Sequence, residues 1–332
     1  MTVLVTGGAG YIGSHAVLAL ADAGRDVVVI DNLVTGFAWA VPEGLPLVEG
    51  DVGDEALVER TLREHDVTAI MHFAGSIVVP ESVVDPLKYY GNNTAATRNL
   101  LAAAVRAGVR HFIFSSTAAT YGIPERVPVA EDAPTRPINP YGTSKLMTEA
   151  MLRDVAAAHS LNYCALRYFN VAGADPRARS GQSTAGATHL IKVAVEAALG
   201  KRSHVSVYGT DYATPDGTGV RDYIHVADLA AAHLDALAAL EADPATSHIM
   251  NCGYGRGFSV REVLDAVDRV AGVTLDRRIE PRRAGDPDAL VADNARILGL
   301  LPWRPKRDDL DTIVADALAW ERKLVDLRSP AA

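Results

Sequence analysis

The chain has 332 residues, 48% of them hydrophobic and 22% charged, which is an ordinary globular balance. That length suits two domains sharing an interface, or one large doubly wound domain, with a sizeable core either way. A formal net charge of -9 argues against nucleic acid or an anionic membrane surface as a partner, and leaves room for an anionic small molecule where a few arginines converge.

Residues 2–6 read as an apolar strand that runs into Gly7, Gly10 and Gly13 at G-x-x-G-x-x-G spacing. A helical pattern follows at once through Ile12, Ala16, Leu20 and Ala23. Glycines in that place let the backbone turn tightly, approach a pyrophosphate and pack helix on strand, with the helix N–H groups facing the anion. The next strand, 25–31, ends in Asp31, whose carboxylate can accept from both ribose hydroxyls of an adenosine and repels a 2′-phosphate. Glycine spacing alone fits any glycine-rich strand–turn–helix. Strand, turn, helix and acid together predict a site for NAD rather than NADP.

A third strand is expected over 45–52, ending at Asp51, then a helix over 54–65 with Asp54 as N-cap. A fourth strand spans 67–75 and closes on small residues, a long helix covers 86–107, and a fifth strand runs over 109–116. Short apolar strands alternating with helices predict an α/β fold, a doubly wound parallel sheet whose ligands sit beyond the strands' carboxyl ends. Gly75, Ser115, Ser116 and Thr117 fall there. After a proline-rich loop at 118–139, a helix runs to about 159 and a sixth strand spans 161–168. The regular alternation then stops. Residues 174–186 read as a flexible crossing or lid, followed by helices at 189–199, 226–240, 260–271 and 309–324 and a strand at 205–208. The expected domains are a dinucleotide-binding unit over 1–173, with a segment around 221–250 returning to it, and a smaller α+β unit over 174–330.

The two cysteines, Cys164 and Cys252, make neither a metal-like spacing nor a disulfide framework, and no metal is expected. No basic segment or signal-peptide core opens the chain and no apolar stretch is long enough to cross a bilayer, so the expected compartment is the cytoplasm.

A nicotinamide cofactor needs an acid or base where the substrate hydroxyl sits. Tyr141 and Lys145, four apart at the start of a helix, share one face. An ammonium so close is expected to stabilise the tyrosinate and lower the phenol pKa toward working pH, making a base for an alcohol proton as hydride leaves. Thr117 offers a hydroxyl to the same oxygen; its plainer reading is a strand-end cap.

These residues resemble the extended short-chain dehydrogenase/reductase family, most closely its UDP-sugar 4-epimerases, over nearly the whole chain. The matching pieces include TGGAGYIGSH (6–15), DNL (31–33), EGDV (49–52), HFAG (72–75), YYGNN (89–93) and FIFSSTAATYG (112–122). NPYGTSK (139–145), LRYFNVAGA (166–174), DGTGVRDYIHV (216–226) and RRAGD (282–286) complete them. The resemblance implies epimerisation at C4 of a UDP-hexose, UDP-glucose to UDP-galactose, through a transient 4-keto sugar with the hydride kept on tightly bound NAD.

It also implies roles for particular residues. Tyr141, Lys145 and Thr117 would be catalytic. NAD contacts would come from Gly7, Gly10, Tyr11, Ile12, Gly13, Asp31, Asn32, Asp51 and Val52, and from Phe73, Ala74, Gly75, Asn93, Ser115, Tyr141, Lys145 and Phe169. The UDP-sugar would meet Thr117, Asn170, His189, Leu190, Tyr208, Arg221, Arg283, Asp286 and Leu290, with the two arginines on the diphosphate and Tyr208 on the uracil. A homodimer through the helices near 86–107 and 140–159 is implied as well.

Some positions depart from the family pattern. Thr117 replaces a serine, Ile77 a lysine, and Thr188-His189 an asparagine pair. Leu290 stands where a tyrosine or a smaller residue borders the sugar's C2 group, which leaves N-acetylated sugars open. Pentose and uronate 4-epimerases share the base, so they stay open too. Ala118-Ala119 after Thr117 replace the Asp-Glu pair of a 4,6-dehydratase, and a non-catalytic dinucleotide sensor would have no use for Tyr141 and Lys145.

Overall fold

The computed structural model describes residues 1–283 and 285–328. Six strands, β1 (Thr2–Thr6), β2 (Asp26–Asp31), β3 (Leu47–Glu49), β4 (Val67–His72), β5 (His111–Thr117) and β6 (Asn162–Tyr168), join the strand His248–Cys252 in one seven-stranded sheet. Its order is His248–Cys252, β6, β5, β4, β1, β2, β3, and every pairing is parallel.

Alternation along the strands assigns each face. Val3 and Val5 of β1 point with Val27, Val29, Met71, Ile113 and Leu166 toward the helices Tyr11–Asp22 and Val226–Ala242. Leu4 points the other way, with Val28, Ile30, Ile70, Phe112 and Ala165, toward Glu55–Glu64, Ala96–Ala107 and Pro140–Ala158. Both faces are therefore dry, which is what near-continuous apolar strands require. Truncating Leu4, which is wholly buried, would cost about 2–5 kcal/mol.

The chain winds outward from β1 through β2 and β3, then returns to β4 on the other side of β1. The crevice between the carboxyl ends of β1 and β4 is thus the switch point of the sheet, where open α/β sheets take ligands.

A further apolar cluster gathers Ile191, Val195, Val205, Val207, Tyr223, Val263, Leu264, Val267, Ile313 and Val314. Its centre is the strand Val220–His225, which pairs with Asn170–Ala172, Gly257–Ser259 and Ala289–Leu290. Ile297, Leu301 and Trp303, late in the chain, pack instead into the cluster on the main sheet.

The structure differs from the sequence expectations in several places. β3 stops at Glu49, and Asp51 lies past it in a turn, accepting from the Gly53 N–H at 2.6 Å. The helix expected over 86–107 is Pro86–Tyr89 and Ala96–Ala107, separated by a π-helical turn at Tyr90–Ala95 and preceded by a short helix, Val79–Val84. Residues 174–186, read as a flexible crossing, are tied down: Asp175 accepts from the backbone of Arg177 and Arg179, and Ser180 bonds Ser14 at 2.7 Å. His248–Cys252 and Val220–His225 were not foreseen as strands. Asp54 does cap its helix, accepting from Ala56 and Leu57 at 3.0 Å. The expected end of the smaller unit at 330, and Ala284 within RRAGD, lie outside the described residues.

Candidate active site

At the end of β1 the backbone of Gly7 turns with φ at 68°, and a Cβ there would stand 2.6 Å from the Ala74 nitrogen. One on Gly13 would lie 2.1 Å from the Gly7 carbonyl oxygen. Only glycine lets this turn press against the end of β4 and lets the helix Tyr11–Asp22 start so close to it. No side chain caps that helix at Gly10. Its first N–H groups face a cradle free of side-chain bulk, which fits a dinucleotide pyrophosphate.

Tyr11 and Ile12 lie half-buried against the core, and the Tyr11 hydroxyl donates to the Gly173 carbonyl at 2.7 Å. Asp31 is buried at the tip of β2, accepting from Ala9 N–H at 2.9 Å and Leu33 N–H at 2.8 Å. Those two bonds use one lone pair on each oxygen and leave the others for hydroxyl donors. Asn32 and Asp51 are exposed nearby, and Val52 is buried.

Beyond β4, Phe73 packs on His233 with ring centroids 4.9 Å apart, and Ala74 and Gly75 follow. A Cβ on Gly75 would meet the Asn93 side-chain oxygen at 2.8 Å and Lys145 Nζ at 3.8 Å. Asn93 sits in the π-helical turn, which displaces its carbonyl from the α-helical bonding pattern, and that oxygen accepts from the Thr97 and Thr148 hydroxyls. Its side chain accepts from Ser76 N–H at 2.8 Å and donates to the Ser76 carbonyl and the Ser144 hydroxyl, both at 3.0 Å. Because Thr97 gives its proton to Asn93, His72 Nε2 must donate to Thr97 and Nδ1 must accept from Thr6.

The chemistry-bearing groups meet at the carboxyl end of β5. Asn139 caps the helix Pro140–Ala158, accepting from Gly142 N–H at 2.8 Å, and so fixes where Tyr141 and Lys145 begin. The Thr117 hydroxyl accepts from Ala119 N–H at 3.1 Å, and it lies near enough to the Tyr141 phenol to favour its ionised form. Lys145 is buried, donating from Nζ to the Ser115 carbonyl at 2.9 Å and lying 5.0 Å from the centre of the Phe114 ring.

Electrostatically the protein differs from the sequence expectation. Burial pushes the Tyr141 phenol above its ordinary value, against the pull of the Thr117 hydroxyl. Burial also brings the Lys145 ammonium down to about 8. Desolvation is the cause acting on Lys145 and the larger of the two acting on Tyr141.

The second wall comes from the later segments. Phe169 and Leu290 pack with Ala118 and Tyr121, just past Thr117. Asn170, His189 and Leu190 line a common pocket, with Tyr223, Lys192 and Trp320 deeper in it. Arg221 donates to the Val220 carbonyl at 2.7 Å and pairs with Asp286. Arg283 lies over the Tyr208 ring at 3.8 Å. The two arginines expected on a diphosphate thus each hold a partner within the chain, an aspartate and an aromatic face. Ile77 is exposed.

Sequence reasoning passed over two contributors. Tyr89 stands edge-on to Tyr141 with centroids 6.4 Å apart, its hydroxyl donating to the Val78 carbonyl at 2.6 Å. It belongs to YYGNN, and nothing local marks it. Glu149 accepts from Ser116 at 2.5 Å and binds Arg167. It continues the spacing of Tyr141 and Lys145 along one helical face, and that periodicity was the available signal.

Residues 3–253 match the NAD dependent epimerase/dehydratase family. A UDP-glucose 4-epimerase of Azospirillum brasilense is 60% identical over 322 residues, covering 97% of this chain and 92% of its own. The crystal structure of UDP-glucose 4-epimerase from Brucella ovis in complex with NAD superimposes with a TM-score of 0.93 at 46% identity, covering 96% of this chain and 97% of that one. The Stenotrophomonas maltophila UDP-glucose-4-epimerase, with bound NAD and formylated UDP-arabinopyranose, gives a TM-score of 0.95 at 40% identity, covering 98% and 99%. Glycine cradle, tyrosine–threonine pair and whole-length likeness agree: this chain belongs to the NAD dependent epimerase/dehydratase family and, within it, to the UDP-glucose 4-epimerases.

Proposed function

We propose that this chain interconverts UDP-glucose and UDP-galactose by epimerisation at C4, with NAD kept in place throughout. The observation that carries this reading is the gathering of Tyr141, Thr117 and buried Lys145 at the sheet's carboxyl edge. When bound, NAD supplies the carbon that takes hydride from C4 and returns it to the other face of the transient 4-keto sugar.

Tyr141 takes the proton of the 4-hydroxyl, and Thr117 shares that oxygen and relays the proton. Lys145 holds the cofactor's ribose, and its charge on the same helical face works against the burial that raises the Tyr141 phenol. Gly7, Gly10, Gly13, Tyr11 and Ile12 receive the pyrophosphate at the helix start, and Asp31 takes the adenosine ribose hydroxyls. Asn32, Asp51, Val52, Phe73, Ala74, Gly75, Asn93, Ser115 and Phe169 complete the cofactor contacts. On the sugar side, Arg221 and Arg283 hold the diphosphate, with Asp286 orienting Arg221. Tyr208 is 38% exposed with one face under Arg283, and offers the other to uracil. Asn170, His189, Leu190 and Leu290 border the nucleotide sugar.

The chain is read as a cofactor unit over 1–173 with a segment near 221–250 returning to it, and a smaller substrate unit after 174. The separate apolar clusters support that division, with Ile297, Leu301 and Trp303 as a further segment returning to the cofactor unit. A homodimer is proposed through the helices Pro86–Tyr89, Ala96–Ala107 and Pro140–Ala158, supported by the exposed Val83, Val84, Leu87 and Met147. Among the described residues no helix is long and apolar enough to cross a membrane. Cytoplasmic residence is proposed as well.

Protein purified without added cofactor is expected to release NAD on denaturation and to convert UDP-galactose to UDP-glucose. Tyr141→Phe is expected to keep the fold and the cofactor while losing at least about a hundredfold in kcat. Near-full turnover by that variant would remove Tyr141 as the base, and activity confined to UDP-pentoses or UDP-uronates would overturn the substrate.

A further inference from the structure

The loop after Asp31 is laced onto the glycine turn. Phe37 N–H donates to the Ala9 carbonyl at 2.9 Å, while Asp31 holds both Ala9 and Leu33. At the crest of that loop Trp39 is 47% exposed, an unusual place for so large an apolar ring. One side of it stacks on Phe37 at 5.2 Å, and the ring also meets Trp320 of the last helix, Leu310–Arg328, at 5.8 Å.

Trp320 is buried and fixed from the other direction. Its Nε1 donates to the Ser183 hydroxyl at 3.1 Å, and its face lies so close to Gly181 that a Cβ there would come within 2.3 Å of the ring. The neighbouring Ser180 bonds Ser14, inside the helix that starts at the glycine turn. Contacts therefore close a ring: Ala9 to Phe37, to Trp39, to Trp320, to the Gly181–Ser183 turn, and through Ser180 to Ser14. Every link but one is a hydrogen bond, a short stretch of backbone or an enclosed contact. Trp39 on Trp320 is the solvent-facing link.

We infer that Trp39 and Trp320 form an aromatic clasp that holds the cofactor-binding loop shut between turnovers, so that the dinucleotide does not leave. The inference rests on the NAD-dependent reading above. In that chemistry the same cofactor must return the hydride it took, so slow release of cofactor is part of the reaction's fidelity. Residues 32–40 are tied to the glycine turn through Phe37 and Asp31, so lifting them off that turn would open the adenosine side of the cleft. Trp39 cannot follow without leaving Trp320. Both tryptophans act through the loop and are positioning residues.

The test compares wild type, Trp39→Ala and Trp39→Phe, each purified without added cofactor and dialysed against an NAD-consuming enzyme while bound NAD is followed over time. Trp39→Ala is expected to lose NAD about tenfold faster, equivalent to about 1.4 kcal/mol, the scale of one aromatic contact. Its turnover is expected to recover to within about twofold of wild type at saturating NAD, and the thermal midpoint of the stripped protein to fall by no more than about 2 °C. Trp39→Phe, which keeps a ring on Trp320, is expected to hold NAD nearly as well as wild type. Equal retention by wild type and Trp39→Ala would overturn the clasp alone. A wild-type protein that takes up no NAD would overturn both the clasp and the cofactor reading.

Discussion

Glu149 grips Arg167 at two points, Oε1 accepting from Nε at 3.0 Å and Oε2 from Nη2 at 2.7 Å, with both side chains almost wholly withdrawn from water. Ser116 donates to the same Oε1, and the guanidinium lies 4.8 Å from the centre of the Tyr121 ring. The helix that carries Tyr141 and Lys145 is thereby keyed to the strand that ends in Thr117. Register between base and hydroxyl is set two helical turns beyond Tyr141 and one residue before Thr117.

Removing one partner of such a pair strands a buried charge. Glu149→Gln or Arg167→Met is expected to lower the free energy of unfolding by about 3–5 kcal/mol, read by urea denaturation. Replacing both, as Glu149→Leu with Arg167→Met, is expected to recover most of that loss, since no charge is then left buried. A double variant as unstable as either single one would mean that the pair is not what the site depends on.

Lys145 makes stability depend on pH in a definite direction. Its pKa in the folded chain is about 8, against an ordinary 10.5. Below about pH 8 both states carry the proton, and the folded state bears the burial penalty, about 3 kcal/mol. Between about 8 and 10.5 the folded chain gives up the proton first, so stability rises with pH. In cofactor-stripped protein, the stability of Lys145→Met relative to wild type is expected to be greatest near neutral pH and to shrink as pH rises toward 10.5. A difference that stays constant over that range would show that the lysine carries no such penalty.

Arg221 presents a planar fork beside Asp286, and lysine has no equivalent of it. Arg221→Lys is expected to raise KM for the UDP-sugar by about tenfold, the scale of one charge-assisted hydrogen bond, with kcat within about twofold of wild type. An unchanged KM would take Arg221 out of the diphosphate site.

Leu87 is 79% exposed and Met147 is 44% exposed, on two of the helices proposed to meet a second copy. Wild type is expected to sediment at twice the chain mass, and Leu87→Asp combined with Met147→Asp at the mass of a single chain. A monomeric wild type would dispose of the interface.

The first half of the fold was legible because its strands are short, apolar and separated by helices with recognisable caps such as Asp54. Gly7, Asp31, Tyr141 and Lys145 could be read for the same reason: their spacing is local. His248–Cys252 was not legible, because its buried Asn251 looks like a loop residue. Its amide is satisfied by the Val129 and Asp293 carbonyls and by the Tyr121 hydroxyl, partners far away in sequence. Arg221 held by Asp286, and Arg283 on Tyr208, are likewise long-range facts. Family resemblance pointed to those arginines, but composition and periodicity could not. The Tyr141 phenol shows the opposite failure, since a local pair suggested a lowered pKa and burial reversed it.

The π-helical turn at Tyr90–Ala95 makes the number of residues in this helix a functional quantity. An α-helix advances about 100° per residue, so deleting one residue here would restore regular winding and swing one end of the helix against the other. Asn93 would then lose its hold on Ser76 and Ser144, and its carbonyl would return to the helix ladder, away from Thr97 and Thr148. At its exposed positions this stretch is expected to accept changes of side chain more readily than changes of length. Counted insertions and deletions, more than substitutions, should separate chains that keep this chemistry from those that have given it up.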